Sequence, residues 1–245
     1  VNWFHQQKLK STNMEQTVFR KKLYLSMFLP FMAIRVLFFF IFFPGSTTWD
    51  SMYIIEEGLG YWPLTNSHPY IYTWIVSLFS KIGIKFFGSL GIGVSIFNFL
   101  TLVVTSVIIV FVLYKLFEIF NINKYLKVGL FIFYAFFSNF IITSFTMYKD
   151  VYLVNFLLLF FLSMVLINYL PVRFFSSTYS LPLFVLSFLG VYMLHRKAVI
   201  YVLVGVVVLF LYSKLYKKQI AKYVIISVLV TLLINALGTI ALRPE

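Results

Sequence analysis

The sequence predicts an all-α fold, a polytopic transmembrane helical bundle of about seven spans with interfacial helices in its first outer loop. Three observations predict it. The mean hydropathy is +0.96, and 62% of residues are hydrophobic while 11% are charged. Soluble domains carry about 25% charged residues, so this surface cannot mainly face water. Continuous apolar stretches recur at about the 20 residues a helix needs to cross about 30 Å of hydrocarbon. Helices suit that solvent because they satisfy their own backbone groups, whereas a barrel would show ~10-residue alternating segments. Finally, the basic residues fall in short clusters between the apolar stretches, as the positive-inside bias requires.

Taken in order, residues 1–22 are polar, carry Lys8, Lys10, Arg20, Lys21 and Lys22, and read as a cytoplasmic tail. The module 23–242 follows. Its first span is Leu23–Phe43. An outer loop, 44–89, holds PGSTTWDSMYIIEEGLGYWPLTNSHP and then the aromatic stretch 70–87, which carries Lys81 and Lys85. That stretch is short and doubly charged, so it is expected to lie in the interface rather than cross. Spans two and three are Leu90–Leu113 and Val128–Phe145. Thr146–Asp150 is a short connection, and span four is Val151–Leu170. A loop at 171–180 precedes span five, Leu181–Leu194. His195-Arg196-Lys197 is a three-residue basic break before span six, Ala198–Tyr212. Span seven is Tyr223–Leu242. Residues 243–245 read as the start of a truncated segment, and the chain as an N-terminal piece of a longer protein.

With the N-terminus inside and 70–87 not crossing, the inner segments hold 13 basic residues and the outer ones six. If 70–87 crossed, the clusters at 115–127 and 214–222 would fall outside, against the rule. The same topology puts Asp50, Glu56, Glu57, His68, Lys149, Asp150, His195, Arg196 and Lys197 on the outer side. Ionisable groups at membrane depth are costly and read first as functional. The net charge of +13 does not point to nucleic acid, because no isolated basic domain exists to grip a phosphate backbone. With no cysteine, disulfides, thiolate catalysis and Cys-ligated metals are excluded.

Each outer constellation admits two readings. Pro44-Gly45 ends span one, Thr47 or Thr48 would cap a following helix, and Asp50 would sit in its first turn. Asp50 is then either a general base or metal ligand, or a helix-start acid favoured by the macrodipole. Glu56-Glu57 read as a solvated face. In Asn66-Ser67-His68-Pro69, Pro69 suits the first helical position with Ser67 or His68 as cap. His68 is either a cavity residue (proton carrier, phosphate contact or ligand) or an interfacial cap. Lys149-Asp150 either neutralise each other locally, or split between an anionic ligand and the helix dipole. His195-Arg196-Lys197 violate the positive-inside preference, and an anionic ligand is the simplest reason, since Arg grips phosphate with two parallel hydrogen bonds. The alternative is snorkelling to headgroups. Arg35 lies mid-span with its role open. No nucleotide loop, HExxH or nucleophile elbow occurs.

An early outer-loop Asp50, a His68-Pro69 opening an aromatic amphipathic helix, Lys149-Asp150 at a later outer span start and Arg196-Lys197 between two outer span ends form a pattern. Over residues 23–242 it resembles the bacterial GT-C superfamily glycosyltransferases, including protein O-mannosyltransferase-like and aminoarabinose-transferase-like enzymes, and an uncharacterised bacterial branch of them. The resemblance implies sugar transfer from a polyprenyl-phosphate-linked donor to a cell-envelope glycan, lipid or protein at the outer face of a bacterial plasma membrane. It implies Asp50 as catalytic base. Arg196 and Lys197, with Lys149, His68, Asp150 and His195, would form the substrate-binding set. The metal is unknown, and a divalent cation is compatible with these residues. Beyond transfer stand a transporter or flippase of an anionic lipid-linked precursor, and a noncatalytic membrane subunit.

Overall fold

The computed structural model describes residues 24–43, 45–47, 49–64, 69–120, 122–136, 146–147, 149–195 and 198–241. The elements in chain order are α1 (Tyr24–Ile41), β1 (Ser46–Thr47), α2 (Trp49–Leu59), α3 (Tyr70–Phe87), α4 (Leu90–Phe120) and α5 (Lys124–Phe136). They are followed by β2 (Thr146–Met147), α6 (Lys149–Tyr169), α7 (Pro171–Phe175), α8 (Ser180–Leu194), α9 (Val199–Tyr212) and α10 (Lys217–Ala241). The regular elements among the described residues are therefore helices apart from one short parallel strand pair. Three helices, α1, α4 and α6, are long and apolar enough to cross a membrane. The apolar helices α8 and α9 are shorter, at 15 and 14 residues. The half of expected span three beyond Phe136 lies outside the described residues.

Ring contacts fix how the helices run. Tyr24 meets Tyr114 and Phe39 meets Phe99, so α1 is antiparallel to α4. Tyr152 meets Phe97 and Tyr169 meets Phe120, so α6 runs parallel to α4. Phe160 packs on Phe184, and Gly190 faces Phe156, so α8 returns antiparallel to α6. The largest core cluster fills the space among α6, α8 and α9 with residues such as Leu162, Phe184, Val191 and Val202. One end of the bundle thus carries β1, β2 and the junction after Leu194. The other carries the turns around Tyr169–Ser180, where Ser180 bonds the Tyr223 hydroxyl at 2.9 Å.

Helix α1 turns one stripe inward. Phe31, Arg35 and Phe39 follow at i, i+4 and i+8 and are all buried. The Arg35 guanidinium carbon stands 4.7 Å from the Phe31 ring centroid, a cation–π contact. Leu29, Leu37 and Phe40 on the other face are exposed, as lipid-facing residues would be.

Helices α3 and α4 form a hairpin. Gly88 caps α3 in the left-handed region (φ 64°, ψ 15°), and its N–H bonds Ile84 O at 3.0 Å. Just inside the turn, a Cβ on Gly83 would overlap the Gly93 backbone, so two glycines let the backbones touch. Helix α4 has 31 residues, about 46 Å at 1.5 Å per residue, well beyond the about 30 Å of hydrocarbon. The surplus turns stand beside α3: Phe79 and Tyr72 both pack on Phe97. Helix α3 is not among the helices long and apolar enough to cross.

Deeper down, α4 and α6 are joined by side-chain hydrogen bonds. Asn155 Nδ2 donates to Thr105 Oγ1 at 2.9 Å, and Thr101 bonds the Tyr152 hydroxyl while its Oγ1 also donates to Phe97 O at 2.8 Å. Between lipid-embedded helices such bonds contribute about 0.6 kcal/mol on average, up to about 2.

Several local expectations need correction. Pro69 is the N-cap of α3 and not its first residue, and its cap lacks a side-chain bond. Glu57 is buried at 7% exposure, not solvated, because it borders the face of α2 (Ser51, Ile54, Ile55) that packs inward. Lys149 and Asp150 belong to the first turn of α6 and not to a loop. Thr47 is paired in β1, and the loop at 171–180 contains the short helix α7.

The Gly83 contact is directly testable. Gly83→Ala should lower the thermal unfolding midpoint in detergent or nanodiscs, at an overpacking cost of about 1–3 kcal/mol. Gly129→Ala on α5, where a Cβ meets nothing within 4 Å, should hold or raise it. Equal midpoints for the two variants would refute the backbone contact.

Candidate functional site

The site is assembled by the shortest elements of the fold. β1 pairs with β2 in parallel, Ser46 opposite Thr146 and Thr47 opposite Met147. Each strand is followed, one residue later, by a helix whose second residue is an aspartate: Asp50 in α2 and Asp150 in α6. The Ser51 hydroxyl then donates to Met147 O, a buried bond that fixes the first turn of α2 against β2. The register therefore gives Asp50 and Asp150 equivalent positions in two neighbouring helix starts. At a helix N-terminus an ionised carboxylate is stabilised by the dipole and the free N–H groups.

Below them sits a cluster of Ile54, Ile55, Tyr72, Val76, Val94, Phe97 and Met147, with Tyr152 and Leu194 packed against it. Leu194 is the last residue of α8, so this cluster carries His195 to the same end as Asp50, Lys149 and Asp150. Of the expected site residues, Asp50 and His195 are exposed, and Lys149 and Asp150 are partly so. His68, Arg196 and Lys197 lie outside the described residues. Among the described residues there is no group of three or more His, Cys, Asp or Glu that could hold a metal ion.

Two residues that sequence reasoning passed over stand at the centre. Tyr72 and Tyr152 face each other with ring centroids 5.8 Å apart, both against Phe97. Tyr152 is bonded to Thr101. The Tyr72 hydroxyl is buried, with no hydrogen-bond partner among the described residues. Burial pushes the pKa of its phenol well above the ordinary value, and the nearby Tyr152 and Asp150 push it further. Tyr72 is thus a neutral O–H donor within electrostatic range of Asp150. The sequence signal for it was the aromatic run Tyr70–Trp74, whose helical phase alone does not separate a site residue from a packing residue.

Directly beneath lies a cavity of about 400 Å³ between α3, α4, α6 and α8. Its wall at the polar end is Pro69, Tyr72, Tyr152 and Leu194, and its deeper wall includes Phe156, Leu189 and Gly190. Leu100, Val104 and Leu186, all exposed, form its side, so it opens onto the apolar flank of the bundle. Its volume lies within the ~300–1,000 Å³ of small-molecule sites. A space apolar along its length, with Tyr72 and Tyr152 at the end nearest Asp150, fits an amphiphile.

No protein-family model, curated protein or solved structure significantly matches the chain.

The absence of native cysteine makes the strand pairing easy to check. Thr47→Cys with Met147→Cys should form a disulfide under mild oxidation, since paired strand positions lie within the usual 4.4–6.8 Å Cα range. Thr47→Cys with Ser177→Cys, at opposite ends of the bundle, should not. The readout is mobility on a non-reducing gel, and cross-linking of the second pair alone would remove the site as described.

Proposed function

We propose that this chain is a GT-C-like glycosyltransferase, or the membrane module of one, that moves a sugar from a polyprenyl-phosphate-linked donor to a cell-envelope acceptor. The observation that carries the reading is the apolar cavity ending at Tyr72, which lies within electrostatic range of Asp150. The donor's prenyl chain would enter from the bilayer through the open flank, each buried CH₂ contributing about 0.8 kcal/mol. Its phosphate and sugar would then lie at the level of Asp50, Lys149, Asp150 and His195.

The chemistry follows from that arrangement. An acceptor hydroxyl attacks the anomeric carbon of the sugar, and Asp50 takes its proton. The bond from that carbon to the phosphate oxygen breaks, and the phosphate leaves with the electron pair. Lys149 and His195, together with Arg196 and Lys197, would meet the charge that develops there. In this reading the chain crosses a bacterial plasma membrane about seven times, with the N-terminus cytoplasmic and the polar end outside.

A second reading, a flippase for an anionic lipid-linked precursor, is favoured by the fully buried Arg35 and the polar seam between α4 and α6, since transporters carry polar groups near mid-depth. Transfer and translocation assays on one reconstituted sample separate the two.

Asp50→Asn should lower transfer from a polyprenyl-phosphate sugar by about 10²–10⁴-fold, with expression and thermal midpoint unchanged. Unchanged turnover would remove Asp50 as base. Filling the cavity should act on the other half of the site. Leu189→Trp is expected to raise KM for the long-chain donor several-fold and to affect a water-soluble short-chain analogue much less. Equal effects on both donors would separate the cavity from the chain.

A further inference from the structure

The proposed chemistry assigns no role to Tyr72, although its hydroxyl is buried at the site. It is 5% exposed, its ring forms part of the cavity wall, and its hydroxyl has no partner among the described residues. A buried donor left unmade costs about 1–3 kcal/mol, so such a group asks for an explanation. Tyr152, its neighbour across the same cavity, bonds Thr101 and makes no hydrogen bond to the Tyr72 hydroxyl. A phenol in this position can offer one hydrogen bond at the junction between an apolar space and a charged helix end. The group that fits is an acceptor oxygen carried at the head of an apolar chain. An anionic oxygen is preferred over a neutral one, because charge-assisted hydrogen bonds are about twice as strong. Asp150 alone would oppose an anion, but Lys149 in the same helical turn offsets it.

We propose that Tyr72 positions the donor lipid, its hydroxyl donating to a phosphate oxygen while the adjoining chain fills the cavity. The inference rests on the lipid-donor reading and adds the residue that sets the head at the depth of Asp50 and Asp150. Tyr72 reads the junction between chain and head, where an alcohol and a phosphate on the same chain differ most.

The test uses the full chain in nanodiscs, with a polyprenyl phosphate and the matching polyprenol as probes. The wild type should bind the phosphate about tenfold more tightly than the alcohol, a ratio equivalent to about 1.4 kcal/mol. Tyr72→Phe should remove most of that ratio, leave polyprenol affinity unchanged, and keep or raise the thermal midpoint, because the hydroxyl it deletes has no partner among the described residues. Excess inorganic phosphate should not displace the lipid, since it brings no chain. A retained ratio in Tyr72→Phe, or a fall in midpoint together with polyprenol affinity, would overturn the role of Tyr72 and leave the donor reading standing. Displacement by inorganic phosphate would also overturn it, by putting the anion outside the cavity. A wild type that binds neither lipid would instead remove the donor reading itself.

Discussion

The arrangement depends on the in-register meeting of β1 and β2, held by the bond from the Ser51 hydroxyl to Met147 O. A membrane bundle can satisfy every backbone group within its helices, but the segments between helices need other partners. Here two such segments satisfy each other. Because a parallel pairing fixes both position and direction, it also fixes the phase in which α2 and α6 begin. That phase brings Asp50 and Asp150 to equivalent places, and it brings Tyr72 and Tyr152 together over Phe97. Without the pairing, α2 and α3 would be held only by the packing of their apolar faces against α4, Tyr152 and Leu194.

Polarity is graded with depth. At the end lie the exposed or half-exposed charges, Asp50, Lys149, Asp150 and His195. One layer in, hydroxyl groups take over, at Tyr72, Tyr152 and Thr101. Deeper still, the polar atoms of Asn155 and Thr105 are turned toward each other between α4 and α6, while the cavity on the neighbouring side is apolar. Polar pairs thus lie where two helices touch, and apolar walls lie where a chain from the bilayer could enter. The glycines follow the same logic. Gly83 and Gly93 bring α3 onto α4, and Gly190 receives the ring of Phe156, which also lines the cavity.

Much of the helical layout was legible in the sequence, because apolar length is a strong signal and the helices at 70–87, 181–194 and 198–212 begin and end within a residue or two of their expected limits. Among the described residues, Asp50, Lys149, Asp150 and His195 lie at one end of the bundle, while Lys115, Glu118 and Arg173 lie at the other. What could not be read was pairwise. Nothing in Ser46-Thr47 or Thr146-Met147 announces a partner a hundred residues away, and both were expected to be loop. Glu57 looked solvated because its neighbour Glu56 is: Glu56 accepts from the exposed Trp62 indole at 3.0 Å, while one residue's turn of the helix buries Glu57. Tyr72 was hidden in an aromatic run whose exposed members, such as Trp74, suit an interface equally well.

Asp50 is where these strands meet. Being exposed, it is accessible to a group brought to it from solvent. What it lacks on its own is position. An interfacial helix such as α2 would drift relative to the bundle if only its apolar face held it. Ser51, the next residue, ties it to β2, and Ile54 and Ile55 anchor the following turn in the cluster that includes Tyr72. The carboxylate is therefore held by its neighbours on one side and open on the other. In the proposed reading, that combination lets one carboxylate meet an acceptor from outside the membrane and a donor from within it.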